Sequence, residues 1–223
     1  MTTFDTLFLA ILAFNALLVA GFAWAFYWPS VQAHRIDRHV PLKVALGARI
    51  ANNAFIGTFS LALSLGIAYG LKPWLMRAEN RAWSFVLLEA LAVLVVYDFL
   101  YYLLHRSLHH PRVMRFVHAI HHRARFPTAL ESLYQHPLEL LSGLSTLALA
   151  LWIVGPVSPY AFLLAFFVYS TGNVLIHIGF EVPLPGFRPI NYLARKHYIH
   201  HSSGRGNYAS LSPLPDWIFR TLR

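Results

Sequence analysis

Eight histidines fall into three short clusters at the spacing of metal ligands: His105 and His109; His118, His121 and His122; and His197, His200 and His201. The first two are four residues apart, and the other two sets repeat the pattern H-x-x-H-H. Residues three and four apart share a helix face, so each stretch can turn its imidazoles towards one point. With 13 histidines in 223 residues, chance would produce this combination in roughly one chain in a thousand. Massed imidazoles without a metal are costly, because every ring needs hydrogen-bond partners and protonated pairs repel. A metal takes the lone pairs, keeps the rings neutral and leaves the second ring nitrogen to donate outwards. One ion accepts four to six ligands, so eight histidines imply two ions. The absence of cysteine removes thiolate metal sites, Cys-ligated iron–sulfur clusters and a Cys nucleophile. The Glu-x-x-His pattern of soluble di-iron bundles is also missing. Imidazole alone leaves iron and zinc both open.

Several other residues belong to the same reading. His177 lies in an apolar stretch with Asn173 one helical turn before it, and an ionisable group within a membrane span is a functional candidate. His177 reads as a ninth ligand. Asn173 reads as a ligand, directly or through a water, or as a cap on a polar pocket. Asp98, seven residues before His105, sits two turns up the same face, where its carboxylate would accept a ligand's N–H and fix the tautomer. Pairing with Arg106 or Arg112 is the alternative. His136 reads as a direct ligand or, together with Glu139, as an orienting hydrogen-bond partner. Tyr101 and Tyr102 fit a pocket wall and an interfacial aromatic belt equally well. His34, His39 and His110 read as surface histidines, and Arg112, Arg115, Arg123 and Arg125 as positive bias rather than a headgroup or redox-partner site.

The elements that must hold these residues are apolar helices. Apolar residues make up 57% of the chain and charged ones 12%, against about 45–50% and 25% in soluble domains. The net charge of +9 is spread between apolar runs, which excludes a nucleic-acid-binding surface. Runs at 4–28, 50–71, 82–104 and 138–180 are each long enough to cross a bilayer. The last is broken by Gly155, Pro156, Ser158 and Pro159, which makes it a helical hairpin. Residues 1–6 carry no Lys or Arg, so the first run reads as a span and not as a signal peptide. Fifteen of the 18 Lys and Arg fall in 28–49, 105–137 and 181–223, and only Lys72, Arg77 and Arg81 on the opposite side. The positive-inside rule then sets the N-terminus outside, an odd number of spans, and both His-rich segments inside. Residues 28–48 and 183–195 read as interfacial pieces or simple loops.

The expected fold is an all-α integral membrane protein. It has about four transmembrane helices and a cytoplasmic helical cap, built from 105–136 and 181–219, that carries a dinuclear His-rich site. The chain reads as one domain, 1–223, with N-terminal spans over 1–89 and the catalytic region over 90–219.

These motifs resemble the fatty acid hydroxylase and sterol desaturase superfamily of integral membrane di-iron enzymes. Asp98-Phe-Leu-Tyr-Tyr-Leu-Leu-His105-Arg-Ser-Leu-His109 resembles its first histidine box, and His118-Ala-Ile-His121-His122 and His197-Tyr-Ile-His200-His201 its second and third. Glu131 to Glu139 resembles the His-Pro-x-Glu segment, and Asn207-Tyr208 with Asp216-Trp217-Ile218-Phe219 the closing motif. Two departures stand out. Asn173 replaces a histidine that some hydroxylases carry, and Arg220 replaces a glycine that usually precedes Thr. The resemblance implies two iron ions, with zinc possible in purified protein, and O2 as co-substrate. It also implies a separate electron donor of ferredoxin or cytochrome type, since no flavin, NAD or haem domain is visible in the sequence. The expected reaction is hydroxylation, or desaturation, of a lipid or sterol-like substrate in the membrane, with a bacterial inner membrane favoured over the endoplasmic reticulum. The competing reading is a His-rich membrane metal transporter or metal-binding protein. A zinc hydrolase is disfavoured because H-E-x-x-H is absent.

Overall fold

The computed structural model describes residues 1–37, 44–78 and 81–223. Helix α1 (Thr3–Ala25) starts at a capping box: the Asp5 N–H donates to Thr2 Oγ1 at 3.2 Å and the Thr2 N–H to the Asp5 carboxylate at 2.7 Å. The acid that interrupts the first apolar run therefore satisfies free amides at a helix start. Helix α2 (Leu46–Leu65) continues through a π turn, Gly66–Gly70, and α3 (Trp83–Leu108) is the longest. Helix α4 (Pro137–Val154) begins under a cap from His136, whose Nδ1 accepts the Leu138 N–H at 3.1 Å. Helix α5 (Pro159–Leu175) begins under the Ser158 hydroxyl.

Helices α1, α3 and α4, and α2 with its π turn, are long and apolar enough to cross a membrane. At 17 residues α5 reaches the lower limit for a span. The α4–α5 turn packs at the end away from the histidines. There Val157 exchanges backbone hydrogen bonds with Leu75 and Arg77 (3.0 and 2.9 Å), and the Ser158 N–H donates to Glu89 at 2.7 Å. Both arms of the hairpin thus traverse the same layer as α3. Helix α3 packs between α4 and α5, with α1 against α5 and α2 against α4. Phe8, Val93, Leu147, Leu151 and Phe162 fill the core, while Leu17, Leu88, Leu91 and Ile153 face outward. The six tryptophans mark the two faces of the layer. Trp24, Trp28 and Trp217 are exposed at the histidine end and Trp74, Trp83 and Trp152 at the other, the placement of membrane-interface belts.

The cap is less helical than the sequence predicts. Between α3 and α4 the chain runs in turns with single-turn pieces at Pro111–Met114, His121–Arg123 and Ala129–Ser132, because Pro111, Pro127 and Pro137 interrupt any longer helix. This segment is fastened to α2 by a buried Arg49–Glu131 ion pair, by Arg49 donating to Thr128 at 2.8 Å, and by Asn53 donating to the Leu130 carbonyl at 2.7 Å. After α5 the chain forms α6 (Arg188–Ser203), which ends at left-handed Gly204, and then α7 (Leu214–Ile218).

Candidate metal centre

His105 lies in the last turn of α3 and His109 caps its end. The Pro111–Met114 turn then brings back His118, His121 and His122, with the His122 N–H donating to the His118 carbonyl at 3.1 Å. His177 lies in the turn just beyond α5, not inside it as the sequence suggested, and His197, His200 and His201 project from α6. These nine side chains converge as two groups, each with its ligand atoms within 4.8 Å of one another: His105, His109, His118, His122 and His200 in one, and His121, His177, His197 and His201 in the other.

Neither H-x-x-H-H box serves a single point. In each, the pair four apart goes to one group and the middle histidine to the other. His118 and His122 sit in the five-histidine group with His200, while His197 and His201 sit in the four-histidine group with His121. Each box therefore ties the two groups together.

The Nε2 atoms point inward. In the first group His118 Nε2 lies 3.1 Å from His105 and His109 and 3.0 Å from His122, and His200 lies 3.1 Å from both His109 and His122. In the second, His177 lies 2.9 Å from His197 and 3.3 Å from His121, and His201 lies 3.1 Å from both His121 and His197. The outward nitrogens show what these contacts mean. Nδ1 of His105, His121, His177, His200 and His201 faces the carbonyls of Tyr208, Tyr134, Asn173, Gly206 and Ala124, at 2.6–3.1 Å. A carbonyl only accepts, so each of these rings carries its proton on Nδ1 and a bare lone pair on Nε2. Lone pairs facing each other at 3 Å repel. Metal–nitrogen bonds of about 2.1 Å at right angles would set neighbouring ligand atoms roughly 3.0 Å apart, so the donor set fits an ion in each group.

The side chains that orient these histidines come from the long helices as well as from the cap. Glu139 Oε1 accepts His118 Nδ1–H at 2.9 Å, with both groups buried. Asp98 does not touch a histidine. Its carboxylate takes the N–H groups of Ser210 and Leu211 (3.2 and 2.9 Å) and the Ser212 hydroxyl (2.6 Å), and so holds the loop whose Tyr208 carbonyl meets His105. Asp216 holds the same loop through the Tyr208 and Ala209 N–H groups (2.7 and 3.0 Å) and pairs with buried Lys196 at 2.9 Å. At Gly206 φ is 71°, and a Cβ there would run into the Thr221 carbonyl, so only glycine lets the chain present that carbonyl to His200. Arg220 adopts φ 55°, which explains why a glycine suits that position.

Asn173 and His136 stand outside both groups. The Asn173 amide nitrogen donates to the Ser132 carbonyl at 3.0 Å and its backbone carbonyl serves His177. Tyr102 is fully buried against Phe219 (4.8 Å between ring centres), with its hydroxyl between Arg106 and Thr221, and so is no belt residue. His34 and His110 are exposed, and His39 lies outside the described residues. The Asp216–Lys196 clamp and the carbonyls of Ala124, Tyr134, Gly206 and Tyr208 were not anticipated. A lysine beside the third box and an aspartate in the closing motif, in a chain with nine acidic residues, were the one readable hint of the clamp.

Burial pushes His109 and His121 down to about 4 and His177 to about 3. Burial, reinforced by neighbouring imidazoles, holds His118, His122, His197, His200 and His201 well below the ordinary value of 6.5. These rings are neutral at pH 7, the state in which imidazole binds metal. Beneath the histidines lies a largely apolar cavity of about 480 Å³, enclosed by all five long helices and reaching Leu108, Glu139 and Asn173 at its upper end. Glu139 and Asn173 line the cavity and each also bonds a histidine of one of the two groups.

Residues 90–221, which include all nine histidines, match the fatty acid hydroxylase family. Among characterised proteins the chain is 35% identical to methylsterol monooxygenase 1 of Rattus norvegicus over 149 residues, 62% of this chain and 48% of that protein. It is 28% identical to methylsterol monooxygenase 1 of Gallus gallus over 235 residues, 99% of this chain and 76% of that one. It is 32% identical to very-long-chain aldehyde decarbonylase GL1-11 of Oryza sativa over 152 residues, 62% and 54%. The chain spans about half the length of the rat and rice relatives. No solved structure matches it. With its three histidine boxes inside the matched region, the chain belongs to the fatty acid hydroxylase family.

Proposed function

We propose that the chain is a membrane-bound non-haem di-iron oxygenase. It hydroxylates, or alternatively desaturates, an unactivated C–H bond of a lipid, using O2 and electrons from a separate ferredoxin- or cytochrome-type donor. The observation that carries this reading is the convergence of nine imidazoles into two adjoining groups over an apolar cavity. His105, His109, His118, His122 and His200 would hold one iron, and His121, His177, His197 and His201 the other. When bound, the irons supply the O2 activation and electron storage that no side chain here can provide.

The chain's own residues do the positioning. Backbone carbonyls and Glu139 fix the imidazole tautomers, and the Asp98 and Asp216 clamps hold the loop that closes over His105 and His200. The apolar helices keep water from the reacting carbon and admit substrate from the lipid. The placement of 15 of the 18 Lys and Arg in the sequence segments 28–49, 105–137 and 181–223 supports an orientation with the N-terminus outside and the histidines on the cytoplasmic face. A transporter would place its ligands on broken helices near the midplane, whereas these lie at and beyond helix ends.

The test is turnover of the full chain in lipid nanodiscs with iron, a reductase system and 18O2. A lipid product carrying one labelled oxygen should form, be lost in His121→Ala and His200→Ala, and be retained in His34→Ala. Metal passage across the bilayer with no oxidised lipid would overturn the oxygenase reading.

A further inference from the structure

One acceptor in the middle of the membrane layer has no donor. Asn15, midway along α1, lines the cavity, and its amide nitrogen donates to the Ile11 carbonyl at 2.9 Å and to the Ser170 hydroxyl at 3.1 Å. Ser170 passes its own proton to the Phe166 carbonyl at 2.7 Å. The Ile11 carbonyl can only accept, so the nitrogen is fixed on that side and Oδ1 is the free atom. Oδ1 is buried and has no partner. A bare amide oxygen in apolar surroundings is costly and calls for an explanation.

The remaining wall narrows what could satisfy it. Among the described residues no Lys or Arg lines the cavity, and the carboxylic residue on its wall, Glu139, is at the histidine end. A free fatty acid or a phospholipid headgroup would enter without a counter-charge. An ester, ketone or hydrocarbon brings no donor for Oδ1. Of the other unpartnered polar atoms on wall residues, Ser210 Oγ and Glu139 Oε2, the latter lies beside His118, where the oxidised carbon belongs. Ser170 precedes His177 by seven residues, roughly 10 Å at helical rise, so a group held at Asn15 is well separated from that end.

We infer that the cavity selects an uncharged lipid alcohol, its hydroxyl donating to Asn15 Oδ1 and its apolar body extending towards Glu139 and the histidines. The orientation rests on the oxygenase reading; the selection of an alcohol does not.

Binding can therefore be measured without turnover, by quenching of intrinsic fluorescence in the metal-loaded full chain in nanodiscs. The probes are 1-hexadecanol, hexadecyl methyl ether, hexadecane and palmitate, with cholesterol and cholesteryl methyl ether as the rigid-bodied pair. At least one alcohol should bind roughly tenfold more tightly than its methyl ether, and the pair showing the larger ratio identifies the body. Palmitate should bind more weakly than hexadecanol. Asn15→Leu should abolish the alcohol-to-ether ratio with metal content unchanged, and Ser170→Ala, which loosens the amide without removing Oδ1, should reduce it. Equal binding of alcohol and ether by the parent chain, a ratio surviving in Asn15→Leu, or tightest binding of palmitate would overturn the inference. Alcohol selection in a chain that proves unable to oxidise lipids would sink the oxygenase reading alone.

Discussion

Replacing Glu139 with Gln separates the two halves of the metal centre. The carboxylate accepts the His118 Nδ1–H at 2.9 Å, both side chains are buried, and Oε2 has no other partner. Gln keeps the size and a neutral acceptor but can no longer carry the negative charge that strengthens such a bond. Outer partners of this kind typically contribute 10–100-fold in metal affinity, or about 1.4–2.7 kcal/mol. His118 belongs only to the five-histidine group, and His121, His177 and His201 of the other group are oriented by backbone carbonyls that the substitution leaves alone. Titrating Co(II) into metal-free protein against a competing chelator should resolve two affinities in the parent chain. In Glu139→Gln one of them should fall by 10–100-fold and the other stay within about twofold. Glu139→Leu should weaken the same site further, since a bare Nδ1–H favours moving the proton to Nε2 and removes the ligand lone pair. Equal weakening of both sites, or no change in either, would refute the assignment of Glu139 to His118 and with it the independence of the two groups.

Three further outcomes follow from the geometry. His121 titrates near 4 in the folded chain against 6.5 when unfolded, so the unfolded chain takes up the proton first as pH falls. Metal-free protein should keep its full stability above about pH 6.5 and lose it between 6.5 and 4, by up to about 3 kcal/mol from this residue alone; a melting temperature that is flat or rising from pH 7.5 to 5 would contradict this. Arg220→Gly should stabilise the chain by about 0.5–1 kcal/mol, the left-handed cost less the greater chain entropy of glycine, and an unchanged denaturation midpoint would mean that φ 55° carries no strain here. Gly143 lines the cavity, and a Cβ there would sit 3.9 Å from the Tyr169 hydroxyl. Gly143→Leu should therefore cut lipid binding at least tenfold with both metals retained, and unimpaired binding would place the substrate elsewhere.

Much of this molecule is written locally in the chain. Apolar runs become helices because a bilayer leaves backbone groups no other partner, and the Gly155–Pro159 break becomes a hairpin turn. The histidine spacing announces metal ligation, yet offsets of three and four both lie on one helix face, so the sequence does not reveal which ring serves which ion. That division is decided by the turn after Pro111 and by the docking of α6. Asp98 illustrates the other difficulty. Its partners lie 112 to 114 residues away, and a carboxylate serving peptide N–H groups looks, in sequence, no different from one serving a histidine. Backbone carbonyls that fix ring tautomers leave no residue-type signature at all.

Whether the two histidine groups hold two ions is decided by the metal content of the purified full chain beside two single variants. The parent chain should carry about two ions, and His200→Ala and His197→Ala about one each. Cobalt substitution should then show the loss of a different spectroscopic component in the two variants, because His200 and His197 belong to different groups. A parent chain that binds a single ion, or variants that lose the same component, would contradict the two-ion centre.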